Sequence, residues 1–432
     1  MTSFYLESLG CAKNLVDSEA FAAILLRAGL EASETPEEAD LVLVNTCSFL
    51  VDSLRELDEV LAELAFLKQD GCIEKLVVTG CVMNRGLEEF RGLYPEVDAW
   101  IGLKDFAALE RWLGLESIGK YPRQPIQSGF HRYLRISDGC SNNCSYCAIP
   151  SIRGKMCSVP LEDLVREAEE LARIEDSPPL ELVLIAQDTA NYGMDLYGRQ
   201  ALPELLERLQ AIPQYQWIRV MYMHPDHFDP AWLPLWKRLP KLLPYFEIPV
   251  QHSEDHILRA MNRRRGRADL EYLFGSILER VPDAVLRTTL ISGFPGETRT
   301  DALALKSFVA HIPFLHLGVF NYSPEEGTPA AKLTGQVPPT TAERRREKLL
   351  SLQNCRATKM LEKYVGQTVS VLVEEESGGE DEDLYSGRAW FQAPEVDGLT
   401  FVHGKDLVPG RIYQVEITDV IDVDLFGEAL QA

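Results

Sequence analysis

Apolar and polar positions in the first 120 residues fall into alternating short and long stretches. Brief apolar runs at 4–9, 40–45 and 75–79 read as strands, and amphipathic stretches at 14–28 and 50–67 read as helices between them. Short Val- and Leu-rich runs separated by helical lengths predict an open parallel α/β sheet. A Pro- and Gly-bearing stretch at 121–129 reads as a linker. A second alternating series follows it, with strands expected at 131–136, 181–186, 217–222, 245–250, 285–291 and 315–321. Helical segments separate these strands, for example 161–174, 202–211, 256–262 and 300–311. Six β/α units predict a sheet curled into a partial (β/α)6 barrel, short of the eight units of a closed one. A helical connector at 341–364 leads into short alternating strands at 368–374 and 413–420 with Gly, Pro and Asp turns. That pattern predicts a small antiparallel β-barrel. The expected modules are 1–120, 126–357 and 362–432, α/β overall.

Composition narrows the class. The chain has 432 residues, 46% hydrophobic and 25% charged, which excludes a disordered, collagenous or disulfide-stapled miniprotein. Lys and Arg number 43 against 66 Asp and Glu, a formal charge of −23. Such a surface repels nucleic acid and anionic lipid unless cations are locally concentrated, and it suits a basic protein partner. From Gln367 onward fifteen acidic residues face three basic ones, a net of −12. The connector reverses the bias with seven basic and three acidic residues, and Arg263-Arg264-Arg265 with Arg267 forms another basic group. Their simplest readings are a solvated helix face and a helix C-terminus, where cations complement the dipole. The acidic stretch 374–383 reads as a solvated loop. The opening residues lack the basic and apolar regions of a signal peptide, and no run approaches the 18 or so apolar residues of a membrane span. The expectation is a cytoplasmic chain with no membrane contact. In that reducing setting the nine cysteines read as metal ligands, catalytic groups or small buried side chains.

Two cysteine constellations carry the chemistry. Cys140, Cys144 and Cys147 stand in Asp138-Gly139-Cys140-Ser141-Asn142-Asn143-Cys144-Ser145-Tyr146-Cys147, just after the first strand of the six-unit series. Three thiolates in so short a loop can close on one face of a compact cluster, and soft thiolates suit iron–sulfur clusters and zinc. A structural zinc site needs a fourth ligand, for which Cys157 is the local candidate. Cys11, Cys47 and Cys81 each follow an expected strand and precede a helical stretch. In an open parallel sheet those carboxyl ends face one side, so three thiols distant in sequence converge on one crevice. Cys72 precedes its strand and belongs to the opposite edge, and Cys157 and Cys355 read as small buried or partly exposed thiols.

The first triplet, with its spacing and Tyr146 before the last cysteine, resembles the radical S-adenosylmethionine (SAM) superfamily. Both triplets together, with Gly293-Phe294-Pro295-Gly296-Glu297-Thr298, Tyr322-Ser323-Pro324-Glu325-Glu326-Gly327-Thr328-Pro329-Ala330 and the terminal β-module, resemble its methylthiotransferase branch. The resemblance spans nearly the whole chain. It implies a 4Fe–4S cluster on Cys140, Cys144 and Cys147 that cleaves SAM to methionine and a 5′-deoxyadenosyl radical. It also implies a second 4Fe–4S cluster on Cys11, Cys47 and Cys81 that carries the sulfur, and a C-terminal TRAM module. SAM then serves both as methyl donor and as radical source. Gln187 and Asp188, just after the second barrel strand, are placed to bind SAM at the barrel mouth, and Tyr146 to pack near its adenine. A sulfur donor and a low-potential electron donor such as flavodoxin or ferredoxin are also implied.

The branch divides by substrate. Ser8-Leu9-Gly10-Cys11-Ala12-Lys13-Asn14, Pro249-Val250-Gln251-His252-Ser253 and the acidic Glu325 resemble the members that methylthiolate the β-carbon of an aspartate in ribosomal protein S-twelve. The acidic tail agrees, because a basic ribosomal protein suits it better than a polyanion. A tRNA adenosine is the alternative substrate. An alternative of another class is a structural metal-cluster protein with closed sites and no SAM turnover.

Overall fold

The computed structural model describes residues 1–430 apart from 120, 122, 127–128, 175–177 and 378–382. Positions 122, 127 and 128 of the expected linker and 378–382 of the expected acidic loop therefore lie outside the described residues. Residue contacts divide the chain into two compact units. The first comprises Met1–Ser128, Asp138–Cys157 and Glu325–Thr328; the second comprises Gly129–Ser137, Ser158–Pro324 and Pro329–Ala432.

In the first unit, β1 (Ser3–Ser8), β2 (Glu31–Ala32), β3 (Leu41–Thr46), β4 (Lys75–Gly80) and β5 (Ala99–Trp100) form one parallel sheet in the order β2-β1-β3-β4-β5. Every residue of β3 is buried, as its Leu-Val-Leu-Val run demands of a central strand covered on both faces. Leu57, Leu61 and Leu64 of the helix Val51–Gln69 cover one face, and Phe21, Ile24 and Leu25 of the helix Ala12–Arg27 cover the other. Each such side chain, fully buried, contributes about 1.5–3 kcal/mol. The two-residue edge strands were not among the expected strands. They are too short to show a period.

The dipeptide strands β7 (Ser137–Asp138) and β8 (Cys157–Ser158) flank the Cys140 loop, after β6 (His131–Arg135) of the second unit. Five more strands of that unit follow: β9 (Glu181–Ile185), β10 (Trp217–Val220), β11 (Tyr245–Glu247), β12 (Val285–Ser292) and β13 (Phe314–Asn321). β6, β9 and β10 pair in parallel, as do β11, β12 and β13. Backbone hydrogen bonds from Leu243 N to Ile218 O (2.9 Å) and from Met223 N to Glu247 O (3.1 Å) link the two halves. The six expected strands are all present, and the partial barrel runs in sequence order from edge β6 to edge β13.

β14 (Thr368–Glu376), β15 (Leu384–Ala389), β16 (Thr400–His403), β17 (Arg411–Ile421) and β18 (Asp424–Ala429) close the C-terminal barrel. Four of its pairs are antiparallel, as expected, but β16 and β18 pair in parallel. The long β17 runs back between them in sequence, so the final strand closes the barrel in the direction of β16. The segment after β15 enters the floor of the partial barrel. There Glu181 accepts from Arg219 Nε at 2.5 Å and from Arg388 Nη1 at 2.7 Å. Arg219 also donates to the carbonyls of Trp390 (2.9 Å) and Gln392 (3.2 Å). Asp397 accepts from Tyr245 Oη at 2.8 Å, pairs with Arg287 and lies 3.1 Å from His316 Nδ1. Buried charges persist only when paired in this way.

Among the described residues no helix is long and apolar enough to cross a membrane.

Candidate functional site

The sheet order of the first unit reverses direction between β1 and β3, and ligands of such sheets bind outside the strand carboxyl ends at that reversal. Cys11 follows β1, Cys47 follows β3 and Cys81 follows β4. Gly10 sits at φ +98°, and a Cβ there would lie 2.7 Å from Cys47 Cβ, so the first turn and the second thiol are packed against each other. Asn14 ties the strand ends together: its Nδ2 donates to the carbonyls of Leu9 and Thr46, both at 2.8 Å, and its Oδ1 stands 3.8 Å from Cys81 Sγ. The three thiols are near enough that the charges of Cys11 and Cys47 act on Cys81. Burial pushes the Cys81 thiol up to about 11 and raises Cys47 as well, while Arg153 opposes both shifts. Such a crevice favours thiolates only to the extent that cations share it, as Arg153 does, and a bound metal would add to that effect.

The second triplet belongs to the same compact unit. Gly139, at φ +70°, leaves no room for a side chain against the Lys155 carbonyl, and it turns the chain into the cysteine loop. Cys140 N donates to Gly154 O at 3.0 Å, Cys147 N to Cys144 O at 3.2 Å, and Met156 N to Ser141 Oγ at 3.2 Å. Cys140, Cys144, Cys147 and Tyr146 are half-buried. Beyond them, Ala148 and Ile152 pack with Cys81 of the other triplet, and Asn84 Nδ2 donates to Ile152 O at 2.7 Å. Arg153 joins the two sets. Its guanidinium reaches Asn14 and Asp17, the latter at 3.2 Å, and Asp138 at 3.2 Å on its other side. Arg85 donates to the carbonyls of Ser48 (2.9 Å) and Phe49 (2.8 Å) and pairs with Glu325. Cys72, Cys157 and Cys355 are exposed, so of the two readings for Cys157 and Cys355 the buried one is excluded.

At the mouth of the partial barrel, in the second unit, Gln187 and Asp188 follow β9 as expected. Asp188 is buried, and its Oδ2 lies 2.6 Å from His227 Nδ1 while its Oδ1 accepts from His224 N at 3.4 Å. One donor atom each of Asp188, His224 and His227 lie within 4.8 Å of one another. Burial, then the charges of Arg263, Arg264 and Arg265, hold His224 well below the usual histidine range, so it stays neutral. The arginine group follows the C-terminus of the helix Asp255–Ala260, as expected; Arg263 is buried, and Asp226 accepts from the backbone N of Arg264 and Arg265, each at 3.0 Å. Tyr222 and Gln251 take left-handed φ values of +61° and +72° just past β10 and β11. Non-glycine residues rarely adopt that region, and those that do cluster at functional sites. His224 and His227 were not singled out in the sequence. The one available signal was their place after the third barrel strand, on the face where barrel sites form.

Comparison with known proteins covers all three modules. Residues 3–102 match the uncharacterized protein family UPF0004, 134–309 the Radical SAM superfamily and 365–430 the TRAM domain. Curated relatives named ribosomal protein uS12 methylthiotransferase RimO align over nearly the full chain. The Thermotoga maritima protein is 41% identical over 433 residues, 98% of each chain. That of Clostridioides difficile is 39% identical over 446 residues, 100% of this chain and 99% of its own. That of Aquifex aeolicus is 40% identical over 428 residues, 98% and 96% of the two chains. Among solved structures, the radical SAM methyltransferase TsrM from Kitasatospora setae shares the fold, with a TM-score of 0.53 at 16% identity over 76% of this chain and 77% of that one.

Proposed function

Because this chain belongs to the ribosomal protein uS12 methylthiotransferase family of radical SAM enzymes, we propose that it transfers a methylthio group to the β-carbon of an aspartate in ribosomal protein S-twelve. It is a transferase, and its family implies a 4Fe–4S cluster and SAM. In this reading Cys140, Cys144 and Cys147 hold the SAM-cleaving cluster, and Cys11, Cys47 and Cys81 hold a second 4Fe–4S cluster. When bound, these groups and SAM supply hydrogen-atom abstraction, a sulfur atom and a methyl group.

The observation that carries the reading is the convergence of three thiols at the carboxyl ends of β1, β3 and β4, beside the Arg153 cation. The donor set fits: three soft sulfur ligands from three separate turns leave one metal position open for a reacting atom. Arg153 offsets the negative charge that the thiolates bring into the crevice. At the barrel mouth, Gln187 orients the amino-acid end of SAM. Asp188 fixes the His227 ring by accepting from Nδ1, leaving Nε2 for hydrogen bonding to SAM or peptide. Tyr146 packs near the adenine. A substrate-side role for protein follows from charge: the tail from Gln367 carries −12, which attracts a basic ribosomal protein and repels tRNA. The modules 1–120, 126–357 and 362–432 divide the labour into sulfur delivery, radical generation and substrate contact. The partners are a sulfur donor, a flavodoxin- or ferredoxin-like electron donor and the ribosomal protein, all in the cytoplasm.

The test is anaerobic reconstitution with iron, sulfide, SAM and reductant, with S-twelve protein and bulk tRNA competing in one tube. Mass spectrometry is expected to find the methylthio group on the protein aspartate alone. Cys11→Ala is expected to abolish methylthiolation while SAM cleavage continues, and Cys140→Ala to abolish both. Modification of tRNA alone would overturn the substrate, and loss of SAM cleavage in Cys11→Ala at full iron content of the other site would overturn the division of labour.

A further inference from the structure

Between the helices Arg299–His311 and Pro339–Leu361 of the second unit lies a groove of about 440 Å³, walled by Arg299, Lys306, Arg344, Arg345 and Lys348. Its one acidic lining residue is Glu297. That carboxylate is already engaged: Oε1 accepts from Arg345 Nη1 at 2.7 Å and Oε2 from Gly293 N at 2.6 Å. Arg299, Lys306, Arg344 and Lys348 are exposed, and their side chains make no hydrogen bond or ion pair among the described residues. Four uncompensated cations thus share one concavity in a chain of net charge −23. Arg344 and Lys348 are also an i,i+4 pair of like charge on one helix, an arrangement that weakens the helix. Among the described residues no carboxylate pairs with either side chain. A polyanion offsets that cost.

We propose that this groove binds the phosphate backbone of ribosomal RNA and seats the enzyme on the small ribosomal subunit, where its protein substrate is embedded in RNA. The proposal rests on the uS12 reading above. A concave groove lined by long, separately mobile cations follows a phosphate chain, whereas an acidic protein docks through a broad, flatter face of about 800 Å². The acidic C-terminal barrel is repelled by RNA, so this basic groove also sets orientation: the RNA meets the connector and the basic protein meets the tail.

The test compares wild type with R299E/R344E/K348E and the milder R299Q/R344Q/K348Q. Binding to purified small subunits is followed across a potassium chloride series, and methylthiolation is measured separately on free S-twelve protein. Losing three phosphate contacts is expected to make the slope of log K against log salt shallower by about 3, and to weaken subunit binding more than tenfold at 0.1 M salt. Modification of free S-twelve is expected to stay within twofold, which also reports that both variants fold. Unchanged subunit binding would overturn the proposal. So would an equal loss on free S-twelve, or a raised requirement for reduced flavodoxin, which would make the groove an electron-donor dock. If wild type modifies no free S-twelve yet binds a labelled ribosomal RNA hairpin through these cations, the substrate reading fails and the groove stands.

Discussion

Gly10 shows how much of the N-terminal crevice depends on one backbone angle. At φ +98° an alanine is strained by about 1–3 kcal/mol, and its Cβ would meet Cys47 Cβ at 2.7 Å. Gly10→Ala is expected to displace Cys11 and Cys47 together and to lower reconstituted iron by about half, with the Cys140 site still filled. Iron and sulfide assays beside SAM-cleavage rates check this; full iron content would show that the crevice does not need the tight turn. The glycine was visible in the sequence as part of the first cysteine motif, but its reason was not. The clash is with a residue from another strand, and the chain alone does not say how closely two turns approach. Arg153 is a similar case. It lies only six residues after Cys147, yet its partners Asn14 and Asp17 are 139 and 136 residues away.

The six barrel strands were legible because each is a compact apolar run bounded by turn residues, and parallel strands buried on both faces have that signature. What the pattern hid is the floor. Glu181, Arg219 and Arg287 interrupt apolar runs, and each also has a partner from another module: Arg388 is 207 residues from Glu181. Burial pushes the Glu181 carboxyl up, but Arg219 and Arg388 outweigh it and hold it at about 2, below the ordinary 4.5. A group with a depressed folded-state pKa contributes stability above its unfolded value and loses it as pH falls through the folded one. Stability is therefore expected to decline between pH 4.5 and about 2 as Glu181 is protonated. Glu181→Gln is expected to cost about 3–5 kcal/mol near neutrality, since it leaves two buried guanidinium groups short of a counter-charge. It should also flatten the acid limb of the melting-temperature profile. An unchanged acid limb in the variant would assign the decline to other carboxylates.

At the scale of the whole molecule, the ion pairs of the floor fuse two modules that the sequence reads as separate. The boundary near residue 362 is clear in pattern, where helical periodicity gives way to short alternating strands, but pattern carries no information on docking. Arg219, Arg388 and Asp397 are buried between the partial barrel and the terminal one. Calorimetry is expected to show these modules unfolding in one transition, because separating them exposes every partner of the network at once. A distinct early transition for the C-terminal barrel would contradict that. The acidic character of the tail also needs adjustment: Glu374 and Asp397 are spent on Arg388 and Arg287, so the charge proposed to attract a basic protein comes from the remaining carboxylates.

The sealed floor has a kinetic corollary. Glu181, Arg219 and Tyr245 are fully buried in the floor of the barrel and plug that end among the described residues. In the reaction proposed above, spent and fresh SAM would therefore exchange on the mouth side, where the protein substrate would dock. With SAM in its two proposed roles, that shared doorway would make peptide binding and SAM exchange alternate.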